Sequence, residues 1–140
     1  MLRATSHELA ALPAHLAPLL TPAEADALTA AADTYAATGA ILEISSTPTA
    51  TPDDYAETRS AWRTPLRLLL LTATDSDESA DMAYADWVYW IAGGGLLVIP
   101  GTHPGHPAAR LHQRALASGK FRELPSPATL RILLRVAACN

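Results

Sequence analysis

The stretch Leu96-Leu97-Val98-Ile99-Pro100-Gly101-Thr102-His103-Pro104-Gly105-His106-Pro107 constrains this chain more than any other. It reads as a short buried strand, a glycine-containing turn, and then a helix opening on Pro107-Ala108-Ala109-Arg110. An apolar run bounded by Gly95 and Gly101 suits the interior of a parallel sheet, where both faces of a strand are covered. A turn that hands the chain to a helix N-terminus gathers main-chain N–H groups and the positive end of the helix dipole at one spot. Phosphate or carboxylate is the ligand chemistry that such a spot favours.

The flanking sequence decides what kind of sheet this strand is expected to join. Thr5 and Glu8 have the spacing of a capping box, and Leu9, Leu12, Leu16 and Leu19 recur at helical intervals, so a first helix is predicted there with Pro13 kinking it. Thr21-Pro22-Ala23-Glu24 is a stronger start signal, with an N-cap, a proline at the first helical position and an acid at the third. This second helix is predicted to run to about Gly39, with Leu28, Ala32 and Tyr35 on one face, and a short strand to follow from Ala40 to Ser45. The Ser-, Thr- and Pro-rich segment Ser45 to Thr51 reads as a linker.

Thr51-Pro52-Asp53-Asp54 repeats the helix-start pattern, placing Tyr55, Arg59 and Trp62 along one side, and Thr64-Pro65 ends that helix. Leu66 to Thr72 is a strand apolar on both faces apart from Arg67. After the loop Asp75 to Glu78, a helix is predicted from about Ser79 to Ala92. Its stripe of Tyr84, Trp87, Val88 and Ile91, widened by Trp90, means either deep burial or a partner surface. Gly93 to Gly95 stop it. A helix from Ala108 to Ser118, an edge strand from Lys120 to Leu124, and a last helix over Thr129 to Ala138 opened by Ser126-Pro127 complete the chain. In that last helix Leu130, Leu133, Leu134 and Ala137 would face inward.

Strands linked by helices imply parallel pairing, with ligands bound beyond the strands' carboxyl ends. The expected fold is therefore α/β, a Rossmann-like three-layer domain with a mostly parallel sheet and an N-terminal helical extension. Residues 1–140 are expected to form one domain, with 1–50 as the extension and 51–140 as the core. The two loops Thr72-Ala73-Thr74-Asp75 and Pro100-Gly101-Thr102-His103 should lie side by side.

Composition narrows the partners. With 49% apolar and 17% charged residues in 140, the chain should fold, and a net charge of −4 without a basic stripe argues against nucleic acid. The pairs Arg110/Arg114 and Arg131/Arg135 read as solvated helix edges. Cys139 is the only cysteine, so no internal disulfide forms. The opening residues lack a signal-peptide core and no apolar run has the length of a membrane span, which sets the expectation of a cytoplasmic protein without a membrane partner. A single lysine, Lys120, among abundant Ala and Arg suggests a GC-rich bacterial or phage gene.

Residues 66 to 125 resemble the SLOG superfamily of Rossmann-like domains, which includes the LOG and DprA-type proteins and small nucleotide-sensor domains. Leu68-Leu69-Leu70-Leu71-Thr72-Ala73-Thr74-Asp75 is similar to the family's first strand and loop. Leu97 to Ala108 resembles its second strand, glycine-rich turn and helix start. The likeness implies a nucleotide-binding crevice, with Gly101 and Gly105 retained. Ala73 stands where the family has glycine, Asp75 where it has arginine, Thr102 where it has glycine and Pro107 where it has aspartate. The catalytic pattern of the LOG enzymes is not found, so their activity is not implied.

The ligand-binding candidates are accordingly Thr74, Gly101, Thr102, Gly105 and Arg110, cradling a nucleotide-derived or other phosphate-bearing ligand in a sensing or regulatory role. The plain alternative is an ordinary strand-to-helix turn with glycines chosen for backbone shape. His103, His106 and His112 are the metal-ligand candidates, although their spacing matches no established zinc motif. Asp75 and His103, at neighbouring strand ends, are the acid–base candidates of a nucleotide or nucleoside hydrolase. A protein–protein module using the aromatic helix around Trp87 and Trp90, self-association included, is the alternative from a different class. No cofactor beyond a nucleotide-derived ligand is implied.

Overall fold

The structure, a computed structural model, describes residues 2–48 and 51–136. Strand β1 (Leu2–His7) leads through a 3-10 turn (Leu9–Ala11) to a short helix α1 (Leu12–Leu16) and then to α2 (Pro22–Tyr35). Strand β2 (Ala40–Ser46), helix α3 (Pro52–Ala61), strand β3 (Leu66–Leu71) and helix α4 (Asp77–Trp87) follow. A 3-10 turn (Val88–Trp90), strand β4 (Ile91–Ile99), helix α5 (Pro107–Ala117) and strands β5 (Phe121–Leu124) and β6 (Arg131–Arg135) end the described fold.

Among the described residues six strands join one sheet in the order β1-β2-β3-β4-β6-β5. At the centre β2, β3 and β4 are parallel, and of these β3 and β4 are the parallel strands that the apolar runs predict. The flanks are not parallel. β1 is antiparallel to β2, and β6 is antiparallel to both β4 and β5, so the sheet is mixed with antiparallel pairs in the majority. The expected mostly parallel, Rossmann-like sheet is thereby corrected. So is the helical extension: the expected strand at Ala40 to Ser45 is present as β2, but Leu2–His7 is a strand as well and both belong to the sheet itself.

Both errors arise where two periodicities fit the same residues. In Leu2–His7, exposed Arg3 and Ser6 flank half-buried Ala4 and Thr5, the pattern of an edge strand. The Thr5/Glu8 spacing is coincidental there, and Glu8 merely precedes the 3-10 turn. In the C-terminal segment, Leu130, Leu133 and Leu134 satisfy helical spacing, but Ile132 faces α1 and α2 while Leu133 faces α5, as in a strand covered on both sides. Ser126 does not cap a helix: its hydroxyl donates to the Leu130 carbonyl (2.6 Å), within a turn where Ala128 has a φ of 54°. Ala137, assigned to that helix, and Cys139 lie outside the described residues, as do Thr49 and Ala50 of the linker. Ser45 and Ser46 belong to β2 rather than to the linker.

Helix α2 stops at Tyr35, short of Gly39, and α4 stops at Trp87 instead of Ala92. Gly93 to Gly95 lie inside β4 and not at a helix end. Leu66 pairs with Ile91 and Leu68 with Leu96, so β4 carries extra residues between these pairs and bulges. Gly95 sits where a Cβ would come within 3.0 Å of the Leu66 and Ala92 carbonyl oxygens, which is why a side chain is absent there. Arg67 reaches over the bulge to the carbonyls of Gly93 (3.2 Å) and Tyr35 (2.8 Å), the latter at the end of α2.

Two cores sandwich the sheet. Helices α3, α4 and α5 pack on one face against Leu42, Leu69, Leu71, Leu97 and Ile99. Helices α1 and α2 pack on the other against Ile41, Leu68, Leu70, Leu96 and Val98. Each buried leucine contributes about 1.5–3 kcal/mol. Trp87 is fully buried in the first core, its ring edge-on to Trp62 (5.6 Å between centroids). Its Nε1–H donates to the Tyr55 hydroxyl (2.9 Å), which donates to Asp86 (2.7 Å). Burial, reinforced by Asp86, pushes the Tyr55 hydroxyl well above the ordinary tyrosine range. Trp90 is half-buried against the same core. The aromatic helix therefore spends its largest ring on the interior.

The helix start predicted at Thr21-Pro22-Ala23-Glu24 closes as a capping box (Thr21 N–H to Glu24 Oε1, 2.9 Å). Glu24 is nevertheless buried, and its second oxygen accepts the Thr129 N–H (3.2 Å), clasping the loop before β6 to the start of α2. Burial works to raise the Glu24 pKa, but hydrogen bonds from Thr21, Thr129 and Leu130 outweigh it and hold the carboxyl below the ordinary glutamate value. A carboxyl depressed in the folded state stabilises the protein above its unfolded pKa of about 4.3, and that contribution is lost as pH falls through the lowered value. Glu24→Gln should cost about 1–3 kcal/mol at neutral pH in urea unfolding, with the gap to the parent chain closing on acidification below about pH 4. Tyr55→Phe strands the buried Trp87 N–H and should lower stability by about 1–3 kcal/mol in the same assay.

Candidate functional site

Parallel neighbours β3 and β4 deliver their carboxyl ends side by side, so the loops beginning at Thr72 and Pro100 adjoin as the sequence predicts. Between them and the segment after α1 lies a hollow of about 370 Å³ lined by Thr72, Thr74, Gly101, His103 and His106, with exposed Leu19 at its edge. A second hollow, of about 380 Å³, separates β1 from α3. None of the sequence candidates lines it, and its Tyr55 is already committed to Asp86 and Trp87.

The N–H groups of Thr102, His103, His106, Ala108 and Ala109 are engaged internally. Gly101 (φ 70°) and Gly105 (φ 80°) adopt the left-handed conformation that bends the loop back on itself. The His103 N–H donates to Gly101 O (2.9 Å) and the His106 N–H to His103 O (3.0 Å). His106 is the N-cap of α5: its Nδ1 accepts the Ala108 N–H (3.2 Å), and its carbonyl accepts the Ala109 N–H (3.0 Å). The second and third helical donors, expected to be open to an anion, thus close on His106 itself. Thr102 spends both its N–H (3.0 Å) and its hydroxyl (2.7 Å) on the Thr129 carbonyl.

Other candidates are also drawn elsewhere. Arg110 turns away from the crevice to pair with Asp77 (2.8 Å) and Asp81 (3.5 Å) on α4. Asp75 accepts a hydrogen bond from Ser46 (2.8 Å) rather than pairing with His103. His112 pairs with Glu123 on β5 (2.9 Å), so only His103 and His106 of the three, 6.5 Å apart between ring centroids, meet at the crevice. The trio of histidines proposed for a metal is not brought together. What the crevice does present is two imidazoles and a largely buried Thr74; Thr72 also lines it, with its hydroxyl donated to Glu43 (2.9 Å).

His106 carries the clearest chemistry. Accepting the Ala108 N–H requires an unprotonated Nδ1, so the neutral ring carries its proton on Nε2. The cap thereby sets the tautomer and makes the outer edge of the ring a hydrogen-bond donor.

A second constellation, unmarked in the sequence reading, lies under α1. Glu43 projects from β2 into the protein at 4% exposure. Its Oε1 meets Nε2 of His7 on β1 and Nε2 of His15 on α1, each at 2.7 Å. Its Oε2 accepts the Thr72 hydroxyl (2.9 Å) from the end of β3. Among the described residues these are the three His, Cys, Asp or Glu side chains whose ligand atoms converge within 4.8 Å. Thr72 also lines the crevice, so the two constellations adjoin. The available signal was Glu43 itself, a lone acid within Ile41-Leu42-Glu43-Ile44, because a buried carboxylate requires partners. His7 escaped notice because its segment reads as helix.

His106→Ala should destabilise the protein by about 1 kcal/mol through loss of the cap, and His106→Asn should restore most of it, as read from urea midpoints. No helix among the described residues is long and apolar enough to cross a membrane. No protein-family model matches the chain, and its functional reading rests on the geometry of this crevice.

Proposed function

We propose that the protein binds a small anionic ligand, nucleotide-derived or otherwise phosphate-bearing, in the crevice at the carboxyl ends of β3 and β4. The observation that carries this reading is His106, whose Nδ1 is occupied by the helix cap and whose Nε2–H is left as a donor beside His103, Thr72 and Thr74. Recognition on this reading is by the two imidazoles and the Thr74 hydroxyl, since the Thr72 hydroxyl donates to Glu43 and the helix-terminal amides are engaged. The likeness of the two loops to those of SLOG domains supports the same place and ligand class. Binding without turnover is the favoured form, because Asp75 is held by Ser46 and does not reach His103 as a base or acid partner. A sensing or regulatory role follows from binding of that kind.

Thermal unfolding with AMP, ADP-ribose, NAD or inorganic phosphate tests the proposal. A ligand at about 100 times its Kd adds about 2.7 kcal/mol. For a chain of this size that amounts to a rise on the order of 5–10 °C. Combining His103→Ala with His106→Asn, which keeps the cap but removes the Nε2 donor, should abolish the rise. A flat response to all four compounds, or a rise that survives in the double variant, rules the crevice out.

A further inference from the structure

We propose that His7, His15 and Glu43 form a binding site for a divalent transition-metal ion of the zinc type. The inference is independent of the crevice reading. Two imidazole nitrogens and one carboxylate oxygen form a donor set suited to such ions, and a tetrahedral ion held by three protein ligands keeps its fourth position for water or an exogenous ligand. Each donor comes from a different element, β1, α1 and β2, so the packing of the fold brings them together rather than a flexible loop. Both Nε2 atoms address the same oxygen, with the ring centroids 4.6 Å apart.

The surroundings fit a metal seat. Glu43 is buried, and the Thr72 hydroxyl on its other oxygen orients the carboxylate in the manner of the outer partners that steady metal ligands. His7 is nearly buried, whereas the side chain of His15 is 47% exposed, which provides an approach from solvent and freedom to adjust. Ligands about 2.0–2.1 Å from a tetrahedral ion stand about 3.3 Å apart. The present 2.7 Å nitrogen–oxygen contacts therefore need to open by only about 0.6 Å. Without an ion, the same groups make a hydrogen-bonded cluster in which the carboxylate accepts from two imidazoles, and the experiment separates the two states.

The full chain, freed of metal with a chelator, is titrated with Zn(II) by calorimetry and with Co(II) by visible absorption. One equivalent should bind, and Co(II) should show the intensified ligand-field bands of a four-coordinate site. His15→Ala, at a half-exposed position that folding tolerates, should weaken binding more than about 100-fold, because even outer partners of metal ligands are worth about 10–100-fold. Thr72→Val should weaken it by about tenfold, and His112→Ala should leave it unchanged. Glu43→Gln should abolish it, with the circular dichroism spectrum reporting whether that variant folds. Absence of saturable binding by either ion, an undiminished affinity in His15→Ala, or loss of binding in His112→Ala would overturn the assignment.

Discussion

The architecture follows from the burial of β3 on both faces. Leu66 and Leu68 through Leu71 are wholly inaccessible, and an apolar strand of this kind is stable only when helices cover it from above and below. Leu69 and Leu71 recruit α3, α4 and α5, while Leu68 and Leu70 recruit α1 and α2. Parallel neighbours β2 and β4 bring their carboxyl ends into line with that of β3. Polar side chains that the leucine core excludes therefore collect at one end of the sheet, where Thr72, Thr74, His103 and His106 surround a hollow.

Two buried glutamates hold this end together, and each does so by engaging distant segments. Glu24 starts as an ordinary helix-capping acid and extends its second oxygen to Thr129. Thr129 in turn receives both donors of Thr102, so α2, the loop before β6 and the turn after β4 are linked through three residues. Glu43 links β1, β2, β3 and α1 through His7, Thr72 and His15. A carboxylate removed from water is costly unless its oxygens are paired, and both sites meet that condition. Thr72 belongs at once to the Glu43 cluster and to the wall of the crevice, so a change at either site has a direct route to the other.

Legibility in the sequence tracked how local each signal was. The Thr21-Pro22 and Thr51-Pro52 helix starts, the Leu66 strand and the adjoining loops after β3 and β4 could all be read from neighbouring residues, and the structure contains them. Leu2–His7 and Arg131–Arg135 were misread because short segments with two or three apolar residues fit strand and helix spacing alike. Their status as strands depends on β2, β4 and β5 being present to pair with them. At the site, Gly101, Gly105 and the helix opening at Pro107 were visible, but the destinations of their hydrogen bonds were not. A histidine serving as its own helix's cap, and Thr102 turning to Thr129, depend on backbone conformation and on residues far along the chain.

By itself the sequence determined the apolar strands β3 and β4, the helices opened at Pro22, Pro52 and Pro107 and the adjacency of the loops after β3 and β4, because each is written in the spacing of adjacent side chains. Tertiary structure alone decided the antiparallel flanks, the closure of the α5 amides on His106 and the meeting of His7, His15 and Glu43. Those three residues stand 8 and 28 positions apart along the chain. Pairing across such separations is selected by what a strand edge or a buried charge finds opposite it, and no local pattern records that choice.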